Sequence, residues 1–261
     1  YYSKYIGDVA NVLIESSAIY FDLLLRIEGA GAGATLGKLQ LVAFVHGYAS
    51  PRRVTMYIKR LAQDGRLKYA SDGQDRRVRR LVPCEPLLAT SRHNMLGLLL
   101  SAQVLWPKET SGLQQFYPQT GDAEWTADQI AFYERLILAT GKLYLSGCDP
   151  LRPYGDVRHF TSKDAGEYLM YSLLLESMKE TGKPSTEVVF ALNYSDAAQI
   201  TGVSRTHVRN MIEGAQDRGL ITDLGEGGRS MRLTSKFIDS IERYFACLMI
   251  LTKTAALKSG V

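Results

Sequence analysis

Two stretches of the chain, 154 residues apart, carry the same punctuation, and this repeat limits the available folds more than any other feature. Ser50, Val54, Ile58, Gly65 and Leu67 are matched without a gap by Ser204, Val208, Ile212, Gly219 and Ile221. In each stretch a serine able to cap a helix precedes apolar residues at three- and four-residue spacing, the pattern of a helix with one buried face. Val54, Tyr57, Ile58 and Leu61 make that face in the first copy; Val208, Met211, Ile212 and Ala215 make it in the second. A glycine then stands where helices end in a left-handed residue, and an apolar residue opens a strand. An internal duplication is the simplest account of five matched positions.

In the second copy Ser195 is placed to cap a preceding helix with Ala198 and Ile200 inward, and Gly202 lies at a sharp turn before Ser204. Leu220 and Ile221 begin a strand, Gly225, Gly227 and Gly228 turn it, and Met231 and Leu233 return. This is the order of a helix-turn-helix followed by a β-wing. Opposite the apolar stripe of the second helix lie Arg205, Thr206, His207, Arg209 and Asn210, beside the cap Ser204. Such groups can reach base edges and phosphates from a major groove. Arg229 and Arg232 fall near the hairpin tip. In the first copy Leu36 to His46 reads as helical, residues 47–49 turn the chain, and Ser50 caps a helix with Pro51 at its first position. Arg52, Arg53, Thr55, Met56 and Lys59 then face outward. A strand from Leu67 to Ala70 leads into a polar hairpin bearing Arg76, Arg77 and Arg79. With Ser50, these are the candidate DNA-binding residues, and double-stranded DNA is the expected partner.

At the first hairpin the residues resemble a known family. Asp72, Asp75, Arg76, Arg77 and Val78, after Asp64-Gly65-Arg66-Leu67, are similar to the wing of MarR-type winged-helix transcriptional regulators. The resemblance covers roughly residues 35–105, and 165–258 more generically. It implies that Asp72 or Asp75 braces the wing and that Arg76 or Arg77 contacts DNA. The Leu-Thr that closes such wings is Val82-Pro83 in the first copy and Leu233-Thr234 in the second, and the second wing lacks the paired aspartates. The first copy's turn is read as one residue different from the standard one. Most members have one unit per chain and dimerise; this chain has two, so a pseudo-dimer within one chain is expected, with a further homodimer open. The resemblance also implies a small aromatic effector, bound near the helices Tyr5–Ile27, Ser91–Leu105 and Lys236–Leu257.

Composition agrees with a globular DNA binder. Hydrophobic residues make up 46% and charged residues 22% of 261, which excludes wholesale disorder. Residues 1–120 hold 15 Lys+Arg against 9 Asp+Glu, a net +6, while 121–261 hold 16 against 18, a net −2. A basic half suits a phosphate-binding surface. No metal- or nucleophile-type motif joins the four histidines, so the chain is read as not an enzyme and without cofactors. Cys84, Cys148 and Cys247 are scattered and odd in number, which fits a reducing cytoplasm; buried, inert thiols are expected. The longest apolar run, Met95 to Trp106, is too short to span a bilayer.

The rest of the chain reads as connections and long helices. Tyr5 to Ile27 is a helix that is apolar nearly all round over Ala18 to Leu25, as a dimerisation or interdomain helix would be. Gly29 to Ala34 reads as a flexible connector, Ser91 to Leu105 as an apolar helix, and Trp106 to Asp122 as a linker. Helices are expected over Thr126 to Tyr144 and over Thr161 to Thr181, the latter with Tyr168, Leu169, Ser172, Leu173 and Leu175 inward, with an irregular loop over 148–155 between them. A last helix runs from Lys236 to Leu257, with Phe237, Ile241, Tyr244, Phe245, Leu248 and Leu251 on one face. The fold class is therefore mainly α with small β-wings (α+β), as tandem winged helix-turn-helix domains, 1–118 and 119–261, joined by long helices. The function expected is sequence-specific transcriptional regulation. A plasmid-type replication initiator with two winged helices, or a winged-helix protein-interaction scaffold, would use the same architecture.

Overall fold

The computed structural model describes residues 9–72, 77–117, 125–150 and 153–259. The chain is mainly helical, 66% helix, with one three-stranded and one two-stranded antiparallel sheet among the described residues. It forms two compact units. The first takes residues 13–150 and 247–261, the second 1–12 and 151–246.

The first unit is built on most of α1 (Val9–Ile27), which buries Ile14, Ala18, Ile19, Phe21 and Leu23. Beyond it come β1 (Ala34–Thr35), α2 (Leu36–Val45), α3 (Pro51–Gln63), β2 (Leu67–Ser71) and β3 (Arg79–Pro83). Thr35 caps α2 through its side chain, and Ser50 caps α3 by accepting from the Arg53 N–H at 3.2 Å. Val54, Ile58 and Leu61 are fully buried, each such side chain contributing about 1.5–3 kcal/mol. Gly65, at φ +69°, ends the helix and lets Leu67 start the sheet. The strands lie in the order β1-β3-β2, with Leu67 opposite Pro83, Ser71 opposite Arg79, and Ala34 opposite Leu81.

That third strand overturns the expectation of a flexible connector. Gly33, at φ +84°, lies so close to β3 that a β-carbon would stand 2.7 Å from the Leu81 carbonyl oxygen. Gly33 is there for close approach as well as for turning. Two further expectations fail in this unit. The helix α4 (Glu85–Leu105) begins six residues before Ser91, because Glu85 and Pro86 suit a first turn whose N–H groups have no helical acceptor. The stretch read as a linker instead folds back. Ser111–Phe116 forms a 3-10 turn, and Leu113 and Tyr117 enter a core with Leu99, Phe132, Leu136, Ala255 and Ala256. Phe116 stacks on Phe132 at 4.3 Å; three large apolar side chains outweigh a polar, Gly- and Gln-rich context. Residues 118–122 of that stretch lie outside the described ones. The helix α5 (Ala127–Leu145) starts with the reciprocal Thr126–Gln129 capping pair and belongs to this first unit, although the division drawn from linker composition would give it to the second.

In the second unit the helix expected over 161–181 is shorter, α7 (Gly166–Met178), and a further helix that was not expected, α6 (Gly155–Thr161), precedes it. Ala165 between them is left-handed at φ 63°, and a β-carbon on Gly166 would overlap the Phe160 carbonyl. The buried stripe of α7 runs through Leu169, Met170 and Leu173, leaving Tyr168 and Ser172 half-buried and Leu175 61% exposed rather than inward. The next helix, α8 (Tyr194–Thr201), is capped by Asn193, not Ser195: the Asn193 side chain accepts from the N–H groups of Ser195 and Asp196. Starting earlier, it buries Tyr194, Ala197 and Ala198, and leaves Ile200 half exposed instead of inward. Gly202, at φ +73°, makes the turn into α9 (Arg205–Asp217).

The two copies match closely around their second helices. Ser204 accepts from the His207 N–H at 3.1 Å, Val208 and Ile212 are fully buried, and Gly219 ends α9 at φ +68°. β4 (Ile221–Thr222) pairs with β5 (Arg232–Leu233), Ile221 opposite Leu233. Phe190, ahead of α8, bridges Met231 through two backbone hydrogen bonds, as β1 ahead of α2 joins β3. The helix-to-helix turn is two residues longer in the first copy than in the second: 46–49 separate α2 from Ser50, and 202–203 separate α8 from Ser204. The last helix, α10 (Ser235–Ser259), gives residues up to 246 to this unit and the remainder to the first. The thiols are not buried as expected: Cys148 is exposed, Cys84 and Cys247 half-buried.

Candidate nucleic-acid interface

On α3 the exposed groups are Arg52, Met56 and Lys59, with the cap Ser50 beside them. Two residues expected to face outward do not. Arg53 is half-buried, and Thr55 is a strut: it donates to the Pro51 carbonyl at 2.9 Å and accepts from Gln40 of α2 at 2.8 Å. Arg60 is also exposed, 3.9 Å from Asp64; sequence reasoning misses it because it ends the outward stripe one turn further on.

In the first hairpin Arg77 and Arg79 are exposed, while Asp75 and Arg76 lie outside the described residues. Asp72 is buried and holds Arg80 through two contacts, 2.5 and 2.6 Å. Arg80 also donates to the Gly33 carbonyl at 3.2 Å, and the Gly33 N–H donates to Asp22 of α1 at 2.7 Å. Asp22 pairs with Arg26 at 2.9 Å. A continuous polar chain, Arg26–Asp22–Gly33–Arg80–Asp72, thus ties the hairpin stem to α1. Burial raises the Asp22 carboxyl above its usual range, against the pull of Arg26 and the Gly33 N–H. At the base of α3 a second buried acid, Glu15, accepts from the Tyr57 hydroxyl and pairs with Arg66 at 3.1 Å. Burial raises it as well, opposed by Tyr57 and Arg66.

In the second unit Arg205, Thr206, Arg209 and Asn210 are exposed on α9, next to Ser204. Arg209 lies 3.8 Å from Glu213. His207 is half-buried rather than outward: its Nε2 is 2.9 Å from the Asp164 carbonyl, in the turn between α6 and α7. At the hairpin Arg229 is exposed, while Arg232 is half-buried and paired with Asp223 at 3.2 Å. Of these four arginines, Arg209 and Arg232 therefore stand beside acids.

The seat of α9 was not legible in the sequence. His159 of α6 is buried against it, Nε2 2.9 Å from the Met211 carbonyl and Nδ1 3.2 Å from Lys163 Nζ. A β-carbon on Gly214 would stand 2.8 Å from the His159 ring, so only glycine admits the imidazole here. Burial lowers the His159 pKa, Lys163 and Arg218 lower it further, and the Met211 carbonyl and Asp156 oppose them.

A narrow slot, with room for about one water molecule, lies between α4, the 3-10 turn and α5 of the first unit. Arg92 lies over the Trp125 ring at 5.7 Å and pairs with Glu85. Arg92 Nε and the Tyr117 hydroxyl find no hydrogen-bond partner among the described residues. Leu96, Leu99 and Phe132 supply apolar wall. Among the described residues no group of His, Cys, Asp and Glu could hold a metal ion, and no helix is long and apolar enough to cross a membrane. Comparison with protein-family models, with curated proteins and with solved structures yields no match.

Proposed function

We propose that the chain is a sequence-specific, double-stranded-DNA-binding transcriptional regulator made of two winged helix-turn-helix units. In this reading α3 and α9 enter major grooves and the hairpin arginines touch the backbone. One observation carries it: each copy has a serine-capped thirteen-residue helix at the same 154-residue offset, buried through matched valine and isoleucine and exposing arginine on its other face. Exposed arginine on the outer face of a helix suits phosphate and guanine edges. The fixed stem at Asp72–Arg80 adds support, since a braced hairpin holds Arg77 and Arg79 at defined positions. Two reading heads in one chain do the work of a dimer on adjacent half-sites.

The regulator is ligand-responsive in this reading. The resemblance to ligand-responsive regulators carries this part; the narrow slot beside Arg92, on α4 and α5, would have to widen before an aromatic molecule could enter. Free cysteines and a DNA partner agree with a cytoplasmic setting.

Fluorescence anisotropy on genomic fragments tests the proposal. A promoter fragment should bind, and Arg52→Ala and Arg205→Ala should each lower the salt slope by about one unit for every phosphate the arginine neutralises. Unchanged affinity and slope in both variants sinks it. Selective binding to an origin repeat array would mark an initiator instead, and no binding to any fragment a protein-interaction scaffold. Light scattering should give a particle near 29.0 kDa that still binds a two-half-site fragment; twice that mass means pairing between chains.

A further inference from the structure

The packing around α9 contains a device that DNA reading does not by itself require. Met211 offers only a carbonyl oxygen, so the Nε2 of His159 must carry the proton that bridges them. In the neutral ring Nδ1 is then an acceptor, and it faces the Lys163 ammonium at 3.2 Å. Both bonds are satisfied in one state alone, the neutral ring protonated on Nε2. A second proton would go to Nδ1 and set two donors against each other inside a buried contact. Gly214 lets the ring lie against the α9 backbone, so α9 cannot ignore a displacement of it.

The surroundings give such a proton little compensation. The charges that act on His159 are Lys163 in the α6–α7 turn, Arg218 at the end of α9, and Asp156 on α6. Asp156, the one acid among them, is already engaged by Lys236 of α10 at 3.4 Å. The same turn is fastened to the outer side of α9 by His207 on the Asp164 carbonyl. Movement of His159 and Lys163 therefore reaches α9 at two points, Met211–Gly214 and His207.

We propose that His159 is a positioning residue for α9, a neutral imidazole wedge that holds Arg205, Arg209 and Asn210 in reading position and lets go when it is protonated. The inference rests on α9 being a DNA-reading helix, and it makes DNA affinity of the second unit fall in mild acid.

Two measurements on the full chain test it. The first needs neither DNA nor a variant: NMR titration of the His159 ring while following the Met211 and Gly214 amides. The ring should titrate below an ordinary histidine, and both amides should move with the same midpoint. An ordinary midpoint, or amides that stay still, overturns the proposal. The second compares DNA affinity at pH 7.5 and 5.5 for wild type, His159→Gln and His207→Gln. A glutamine amide can donate to Met211 and accept from Lys163 but does not titrate. H159Q should match wild type at pH 7.5 and lose the weakening at pH 5.5, while H207Q keeps it. Equal pH profiles in wild type and H159Q, or loss of the dependence in H207Q instead, refute the assignment. Coupled NMR titration without DNA binding at either pH would instead refute the DNA reading on which it stands.

Discussion

Replacing Gly33 by alanine asks whether the glycine-rich segment after α1 is docked or free. Gly29 and Gly33 both have positive φ, +67° and +84°. Each alanine therefore carries a left-handed penalty of about 1–2 kcal/mol. The surroundings differ. A β-carbon at Gly29 meets nothing within 4 Å, whereas at Gly33 it lies 2.7 Å from the Leu81 oxygen, 2.9 Å from the Leu81 carbonyl carbon and 2.9 Å from a Val82 methyl. Two of those atoms are backbone of the central strand β3 and cannot rotate aside. Forcing the chains apart costs about 1–3 kcal/mol by the standard of overpacked cores. It also stretches the Asp22 and Arg80 bonds to Gly33, and a hydrogen bond to a charged group contributes about 1.5–3 kcal/mol. Gly33→Ala should thus cost roughly 2 kcal/mol or more beyond Gly29→Ala. Both tryptophans, Trp106 and Trp125, lie in the first unit, so their fluorescence in a urea titration follows that unit without interference from the other. Equal midpoints for the two variants, within about 0.5 kcal/mol, would refute the docked strand and restore a flexible connector.

Thr55→Val removes the strut between α2 and α3 and should cost the first unit about 1 kcal/mol by the same fluorescence assay, with DNA affinity unchanged; a loss of affinity at an unchanged salt slope would show that the Thr55 hydroxyl bonds DNA after all. Glu15 gives a pH signature of unusual sign. Its folded-state pKa is raised above the ordinary 4.5, so the folded protein holds this proton more tightly than the unfolded chain. The resulting stability is present below pH 4.5 and is lost as pH rises through the raised value. Glu15→Gln should flatten that part of the unfolding profile as pH rises above 4.5, and an unaltered slope would mean that Glu15 is ionised throughout.

What could be read from the sequence is local. Ser50 and Ser204 as caps, Gly65, Gly202 and Gly219 as left-handed turns, and Val54, Ile58, Val208 and Ile212 as buried all depend on neighbours within one helical turn, and the 154-residue repeat doubled each signal. The start of α8 is ambiguous in the sequence because Asn193 and Ser195 are both good caps; in the fold Asn193 caps it and Tyr194 is buried. What only tertiary structure decided involves partners far along the chain. Phe116 and Tyr117 look like linker residues until Phe132 and Leu99 give them a core to enter. Gly33 looks free until Leu81 lies across it, and Arg80 looks like one more wing arginine until Asp72 and the Gly33 carbonyl claim it. Thr55 and His207 sit on the outward side of their helices by periodicity, yet Gln40 and the Asp164 carbonyl draw them inward. Helical periodicity gives the direction in which a residue leaves its helix, and the residue that meets it there comes from another part of the chain. Thus the chain's sequence determined the two helices and their exposed arginines, and long-range packing determined which polar side chains remain available on that surface.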